Sequence, residues 1–164
     1  MLVSFDQLPD SARLWIFQSS SRLSDVVAED LQRVAESFVE NWTAHQSALH
    51  GAVVIVDQLF LVVAVDEKIT GASGCSIDKL NQFMRGREQA MNVKWFDRLL
   101  VCYKDANGNP HQLRLASIEE KLQSGELSAE SLVYDTTIEN VGAFRSRFIS
   151  PLKNTWLNRY QIAG

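Results

Sequence analysis

Two runs of mostly aliphatic, β-branched residues, 52–56 (AVVIV) and 59–65 (LFLVVAV), are separated only by Asp57 and Gln58. So short a break between two such runs predicts an antiparallel hairpin. Neither run alternates apolar with polar residues, so both faces of both strands must be covered. The chain therefore needs layers on each side of this hairpin. Its 164 residues suffice for one domain that buries a sizeable core without disulfides or metals.

Composition narrows the function classes. The chain is 46% hydrophobic and 22% charged, in the range of ordinary globular proteins. Lys and Arg total 16 against 20 for Asp and Glu, a formal charge of −4. That balance argues against a general nucleic-acid binder, which needs basic excess to displace counterions. Residues 1–15 (MLVSFDQLPDSARLW) lack a basic stretch followed by a long apolar one, so no signal peptide is expected. The longest apolar runs fall far short of the roughly 20 residues that span a bilayer, and a cytoplasmic location without membrane partners is expected. Cys75 and Cys102 are the two cysteines, expected as free thiols. With His45, His50 and His111 they form no metal-ligand spacing, so neither metal nor cofactor is implied.

Local patterns order the remaining elements. Residues 13–18 (RLWIFQ) read as a strand ended by the polar run Ser19-Ser20-Ser21-Arg22. Ser24 is a good N-cap for a helix reaching about Trp42, with Val27, Leu31, Val34, Phe38 and Trp42 as its apolar stripe. A second helix is predicted over 77–91. Residues 98–104 and 111–115 flank Asn107-Gly108, a strong hairpin signal. The tail suggests a short helix over 117–124 closed by Gly125, a strand over 132–134 and a helix over 139–148.

The order strand, helix, strand, strand, helix, strand predicts an α+β protein with a ferredoxin-like β-α-β-β-α-β core, plus one extra hairpin strand. A single domain over 1–164 is expected, with the core over about 12–115. An α-rich C-terminal extension over about 116–164 packs on it. A homodimer through the open sheet face is the competing arrangement.

Taking the first and third strands of that core as parallel puts their C-terminal ends at one edge. The loops 18–22 and 71–78 are then neighbours, and two helix N-termini point at one patch. Asp66, Glu67 and Asp105 are expected close by, with Trp42, His45, His50 and Arg98 at the opposite edge. That separation excludes a nucleophilic Cys75–His45 pair, which needs hydrogen-bond reach.

Each candidate also has an ordinary structural role. Cys75 offers a thiol of lowered pKa, or a small residue in a tight turn beside Ser76 as helix N-cap. Asp66 and Asp78 offer a carboxylate pair, although Asp78 early in a helix is explained by the macrodipole. Arg22 is an anion contact or a solvated arginine. His45 at a helix end suits free carbonyls. Trp15 and Trp42 are core residues or the walls of a pocket. The run Gly74-Cys75-Ser76-Ile77-Asp78 lacks the second glycine of a nucleophile elbow. No Gly-Lys-Ser/Thr occurs, which excludes a phosphate loop of the Walker type.

Five motifs occur together: Phe5-Asp6-x-Leu8-Pro9, Ala12-Arg13-x-Trp15-x-x-Gln18-Ser19, Trp42-x-Ala44-His45, Val65-Asp66-Glu67, and Ala72-Ser73-Gly74-Cys75-Ser76-Ile77-Asp78. With a closing Pro151-Leu152-Lys153-x-x-Trp156 the combination resembles a family of short bacterial proteins of unknown function. Many of these carry an automatic "ABC transporter ATPase" label. Members often place glycine after the histidine, where this chain has Gln46. The label implies no mechanism here.

The function expected from these residues is recognition of a small anionic molecule, or of an acidic group on a protein partner. Gln18, Ser20, Arg22, Asp66, Ser73, Cys75, Ser76 and Asp78 would line the site, with Trp42 and His45 as secondary candidates. The alternatives are a thiol enzyme or redox sensor with Cys75 as its catalytic residue, and a homodimeric assembly module.

Overall fold

The computed structural model describes residues 1–161. Helices and antiparallel sheets are mixed, and the chain divides into two compact units. The first comprises Met1–Phe96 and Glu139–Phe144, the second Asp97–Ile138 and Arg145–Gly164. The first boundary thus falls after Phe96, ahead of the strand that was expected to complete the core.

In the first unit, β1 (Arg13–Gln18), β4 (Gly51–Val56) and β5 (Phe60–Val65) form a sheet in the order β1-β5-β4. The predicted hairpin is present, with Val53 opposite Val63 and Val56 opposite Phe60. Asp57 and Gln58 make its turn at φ 50 and 58, the left-handed conformation that matches the strand twist of a tight hairpin. All six residues of β5 are buried on both faces, as its unbroken apolar run requires. Each fully buried Leu or Val there contributes on the order of 1.5–3 kcal/mol.

Helix α1 (Asp25–Glu40) starts at Ser24, whose hydroxyl accepts from the amide of Val27 at 3.3 Å. It packs along β4. Its buried face is Leu31, Ala35 and Val39; of the predicted stripe Leu31 and Trp42 are buried, Val34 and Phe38 are half-buried, and Val27 is 38% exposed. Small residues decide this rotation. A Cβ on Gly51 would lie 3.0 Å from a Val39 methyl, so glycine at the head of β4 and Ala35 let the helix sit close. After α1 comes a small hairpin missed in the sequence, β2 (Thr43–Ala44) and β3 (Ser47–Ala48). His45 and Gln46 form its turn at φ 49 and 67. Glycine holds that conformation without strain, and here a glutamine holds it.

Helix α2 (Gly74–Met91) begins three residues earlier than predicted, because Ser73 and not Ser76 is its N-cap. The Ser73 hydroxyl accepts from the Ser76 amide at 3.2 Å, while the Ser76 hydroxyl donates to the Ser73 carbonyl at 2.8 Å. Leu80 and Met84 anchor the helix in the core shared with Phe17, Leu31, Val39, Trp42 and Trp95.

The relation between β1 and β5 corrects the expected topology. They pair antiparallel, with Arg13 opposite Val65 and Gln18 opposite Phe60. The reason is directional: a crossover helix leaves β1 and β4 pointing the same way, and the hairpin then reverses β5. The outer side of β1 meets residues 139–141, through an antiparallel bridge between Arg13 and Asn140 and a 3.0 Å bond from the Leu14 amide to the Glu139 carbonyl.

In the second unit, β6 (Leu100–Lys104), β7 (Pro110–Arg114), β8 (Leu132–Tyr134) and β9 (Ile149–Pro151) form an antiparallel sheet in the order β7-β6-β8-β9. The predicted fourth strand, β6, therefore belongs to a sheet other than that of β1. Gly108, at φ 79, makes the β6–β7 turn signalled by Asn-Gly. The short helices α3 (Ile118–Gln123), in this unit, and α4 (Val141–Arg147), whose residues up to Phe144 belong to the first unit, match the predicted tail segments, and Gly125 at φ 76 follows α3. The core of this unit is Val101, Ile118, Leu127, Val133, Leu152 and Leu157.

Candidate functional site

The antiparallel register separates the two loops that were expected to meet. The chain leaves β1 at the Gln18–Phe60 end of the sheet and leaves β5 at the Arg13–Val65 end. Gln18, Ser20 and Arg22 thus lie at one end, and Asp66, Ser73, Cys75 and Ser76 at the other. No patch combines both sets.

Residues of the first set have structural occupations. Gln18 is 7% exposed, and its amide nitrogen has no hydrogen-bond partner. The Ser20 hydroxyl accepts from the Lys94 amide at 2.9 Å, and the Ser20 amide donates to the Lys94 carbonyl at 2.8 Å. Arg22 donates through Nε to Gln58 at 2.9 Å and so braces the β4–β5 turn.

The second set gains partners that the sequence reading put elsewhere. Helix α1 runs back along the sheet, so Trp42 arrives at the Arg13–Val65 end and not at the far edge. Its indole Nε1 donates to the Ser76 carbonyl at 2.8 Å. His50 is at this end too, because its carbonyl accepts from the Asp66 amide at 2.9 Å. His45 is exposed at the tip of the β2–β3 hairpin. The Trp42 ring meets Trp15 edge-on at 5.8 Å between centroids. Trp42 is 2% exposed and belongs to the core, whereas Trp15 is half-buried and packs against that core from the outside.

Above the aromatic pair lies a polar surface. The Arg13 guanidinium sits 4.9 Å from the centre of the Trp15 ring and 3.5 Å from Oε1 of Glu67. The same Glu67 oxygen accepts from the Ala72 amide at 3.2 Å. Four of the five sequence motifs, spread over residues 12–78, are therefore linked through Arg13, Trp15, Trp42, Glu67, Ala72 and Ser76. Asp66 turns inward on its own loop, where Oδ1 accepts from the Lys68 amide at 3.0 Å.

At the start of α2, Gly74 and Cys75 are exposed and Ser76 is buried. The first turn carries no acidic side chain, whereas α1 has Asp25 in the equivalent place. Asp78 is exposed one turn further on. The sequence marks Arg13 only as a motif residue; its place opposite Val65, the last residue of β5, is what brings it here.

A second polar cluster in the other unit was not anticipated. His111 Nε2 lies 2.7 Å from Asp105, and its ring stacks on Tyr103 at 5.6 Å. The Tyr103 hydroxyl donates to Glu126 at 3.4 Å, and Lys121 also pairs with Glu126. The bond from His111, then that from the Asn109 amide, hold the Asp105 carboxyl below its usual range. Lys121 lowers Glu126 in the same way, and partial burial followed by the Glu126 charge raises Tyr103. Asp105 also accepts from the amides of Asn107 and Asn109, so the cluster secures the β6–β7 turn.

Among the described residues no three His, Cys, Asp or Glu side chains gather to hold a metal ion. Two hollows open elsewhere on the first unit. One of about 600 Å³ lies beside α1 and the β4–β5 turn, and one of about 400 Å³ lies between α1 and α2. No protein-family model, curated protein or solved structure matches the chain.

Proposed function

We propose that this protein is a binding module of the bacterial cytoplasm that recognises a small anionic group, free or carried by a partner, at the start of α2. The contacts are the exposed amides of Gly74 and Cys75, the hydroxyl of Ser73 and the guanidinium of Arg13. One observation carries the reading: an 18-residue helix presents a first turn with no acidic side chain, and a cation stands beside it through the shared oxygen of Glu67. Such a helix end carries unpaired N–H groups and a partial positive charge. The free thiols of Cys75 and Cys102 support a reducing compartment. The bacterial source rests on the motif resemblance. The reading takes the first unit as a ferredoxin-like frame. Its β1-β5-β4 order, with a helix after β1 and another after β5, supports that, and residues 139–141 stand where a fourth strand would lie.

The test is a titration with inorganic phosphate, followed through the Gly74 and Cys75 amide resonances. Saturable shifts are expected, weakened by Arg13→Ala and strengthened by Glu67→Gln, which removes a competing carboxylate. Flat resonances, or shifts indifferent to both substitutions, contradict the reading.

A thiol function for Cys75 is the second reading, favoured by its exposure in that same first turn while Cys102 is buried. Iodoacetamide then modifies Cys75 faster than free cysteine. A rate equal to that of the free amino acid removes this option.

A further inference from the structure

We propose that the outer edge of β4 is a docking strip for an extended, basic segment of another protein, which adds as a strand in the groove between β4 and α1. The chain itself shows how this edge accepts a strand. Leu2 bridges Gly51 in parallel; the Val3 amide donates to the Gly51 carbonyl at 2.9 Å, and the Gly51 amide to the Met1 carbonyl at 3.1 Å. After Val3 the chain turns away into the short helix Phe5–Gln7. Backbone groups of a strand face alternate sides, so Val53 and Ile55 point the same way as Gly51. The Gln32 side chain donates to the Val53 carbonyl at 3.1 Å, which confirms that direction. Among the described residues no strand continues the pairing to Ile55.

The open part of the edge borders the hollow of about 600 Å³, where Ala28 and Ile55 supply apolar surface. Its rim carries the carboxylates Asp25, Glu29, Glu36 and Asp57 against the two arginines Arg22 and Arg33. Asp30 pairs with Arg33 and Arg22 meets the neutral amide of Gln58, while Asp25 and Glu36 accept only from the neutral amides of Gln58 and Gln32, so the rim stays net acidic. An extended guest with lysine or arginine at alternate positions meets this rim, while its intervening apolar side chains meet Ala28 and Ile55. Its backbone bonds the amide and carbonyl of Ile55, the mode of strand addition to a sheet edge. A second copy of this chain is the poorer occupant, because pairing two such edges sets carboxylates against carboxylates.

Two capped heptapeptides, one alternating valine with lysine and one alternating valine with glutamate, test this against the full chain by amide resonances. The lysine peptide is expected to shift Ile55 saturably, with the glutamate peptide at least about tenfold weaker. Glu29→Lys combined with Glu36→Lys is expected to invert that preference. If the double variant does not fold, the two peptides on the native protein still decide. An unmoved Ile55 amide, equal affinity for both peptides, or a mass that doubles with concentration before peptide is added each overturns the proposal.

Discussion

The indole of Trp42 and the carbonyl of Ser76 are joined by a 2.8 Å hydrogen bond inside the first unit, across 34 residues of chain. The bond occupies Trp42's single donor and ties the end of α1 to the first turn of α2. Trp42→Phe keeps an aromatic ring beside Trp15 and Phe38 and removes that donor. A loss of about 1–3 kcal/mol is expected from the missing hydrogen bond and the smaller ring, while the Ser76 carbonyl keeps its place in the ladder of α2. Denaturant unfolding measures it, and a loss under about 0.5 kcal/mol would show that the bond contributes nothing specific.

The two serines at the start of α2 have different roles. Ser73→Ala removes the cap acceptor and is expected to cost about 1 kcal/mol, in line with other helix caps. The Ser76 amide, which that hydroxyl accepts from, should then exchange faster with solvent than in the native protein. Unaltered exchange in that turn would return the cap to Ser76.

Left-handed residues other than glycine store strain at two turns, with unequal compensation. Gln46 is exposed at φ 67 and makes no side-chain hydrogen bond among the described residues, so Gln46→Gly should stabilise by about 1 kcal/mol. Gln58 at φ 58 is held by bonds to Arg22 and Asp25. Gln58→Gly should therefore gain less, or lose. Thermal unfolding of the two variants side by side checks the order.

The β6–β7 turn should loosen in acid. The Asp105 carboxyl is held below its ordinary range in the folded chain, so its stabilising effect is complete above the ordinary carboxylate value and fades as pH falls through the lowered one. A carboxyl titration should show Asp105 moving back up on His111→Phe, since the His111 bond is the largest cause. An unmoved titration would assign the effect to the Asn107 and Asn109 amides.

Local elements were largely legible in the sequence because they rest on short-range chemistry. The apolar runs around Asp57-Gln58, the Ser24 cap and the Asn107-Gly108 turn each announce one element. The candidate site was less legible because it depends on direction. The crossover over α1 and the reversal at Asp57-Gln58 together make β5 antiparallel to β1, and taking those two strands as parallel moved Arg22 to the wrong end. Two further features have weak signals. The His45-Gln46 turn carries no glycine, and the β6 sequence cannot tell one sheet from another, since Tyr103 finds its β8 partner at Val133, 30 residues downstream.

The return of residues 139–144 to the first unit bears on how the molecule is made. During synthesis residues 1–96 can assemble the three-stranded sheet, the β2–β3 hairpin and two helices, yet the free flank of β1 stays bare until Asn140 has emerged. For that interval a nascent sheet exposes an unsatisfied margin open to foreign strands. A fragment cut after Phe96 would keep that vulnerability permanently, so dissecting this protein requires grafting the late segment back or leaving the chain whole.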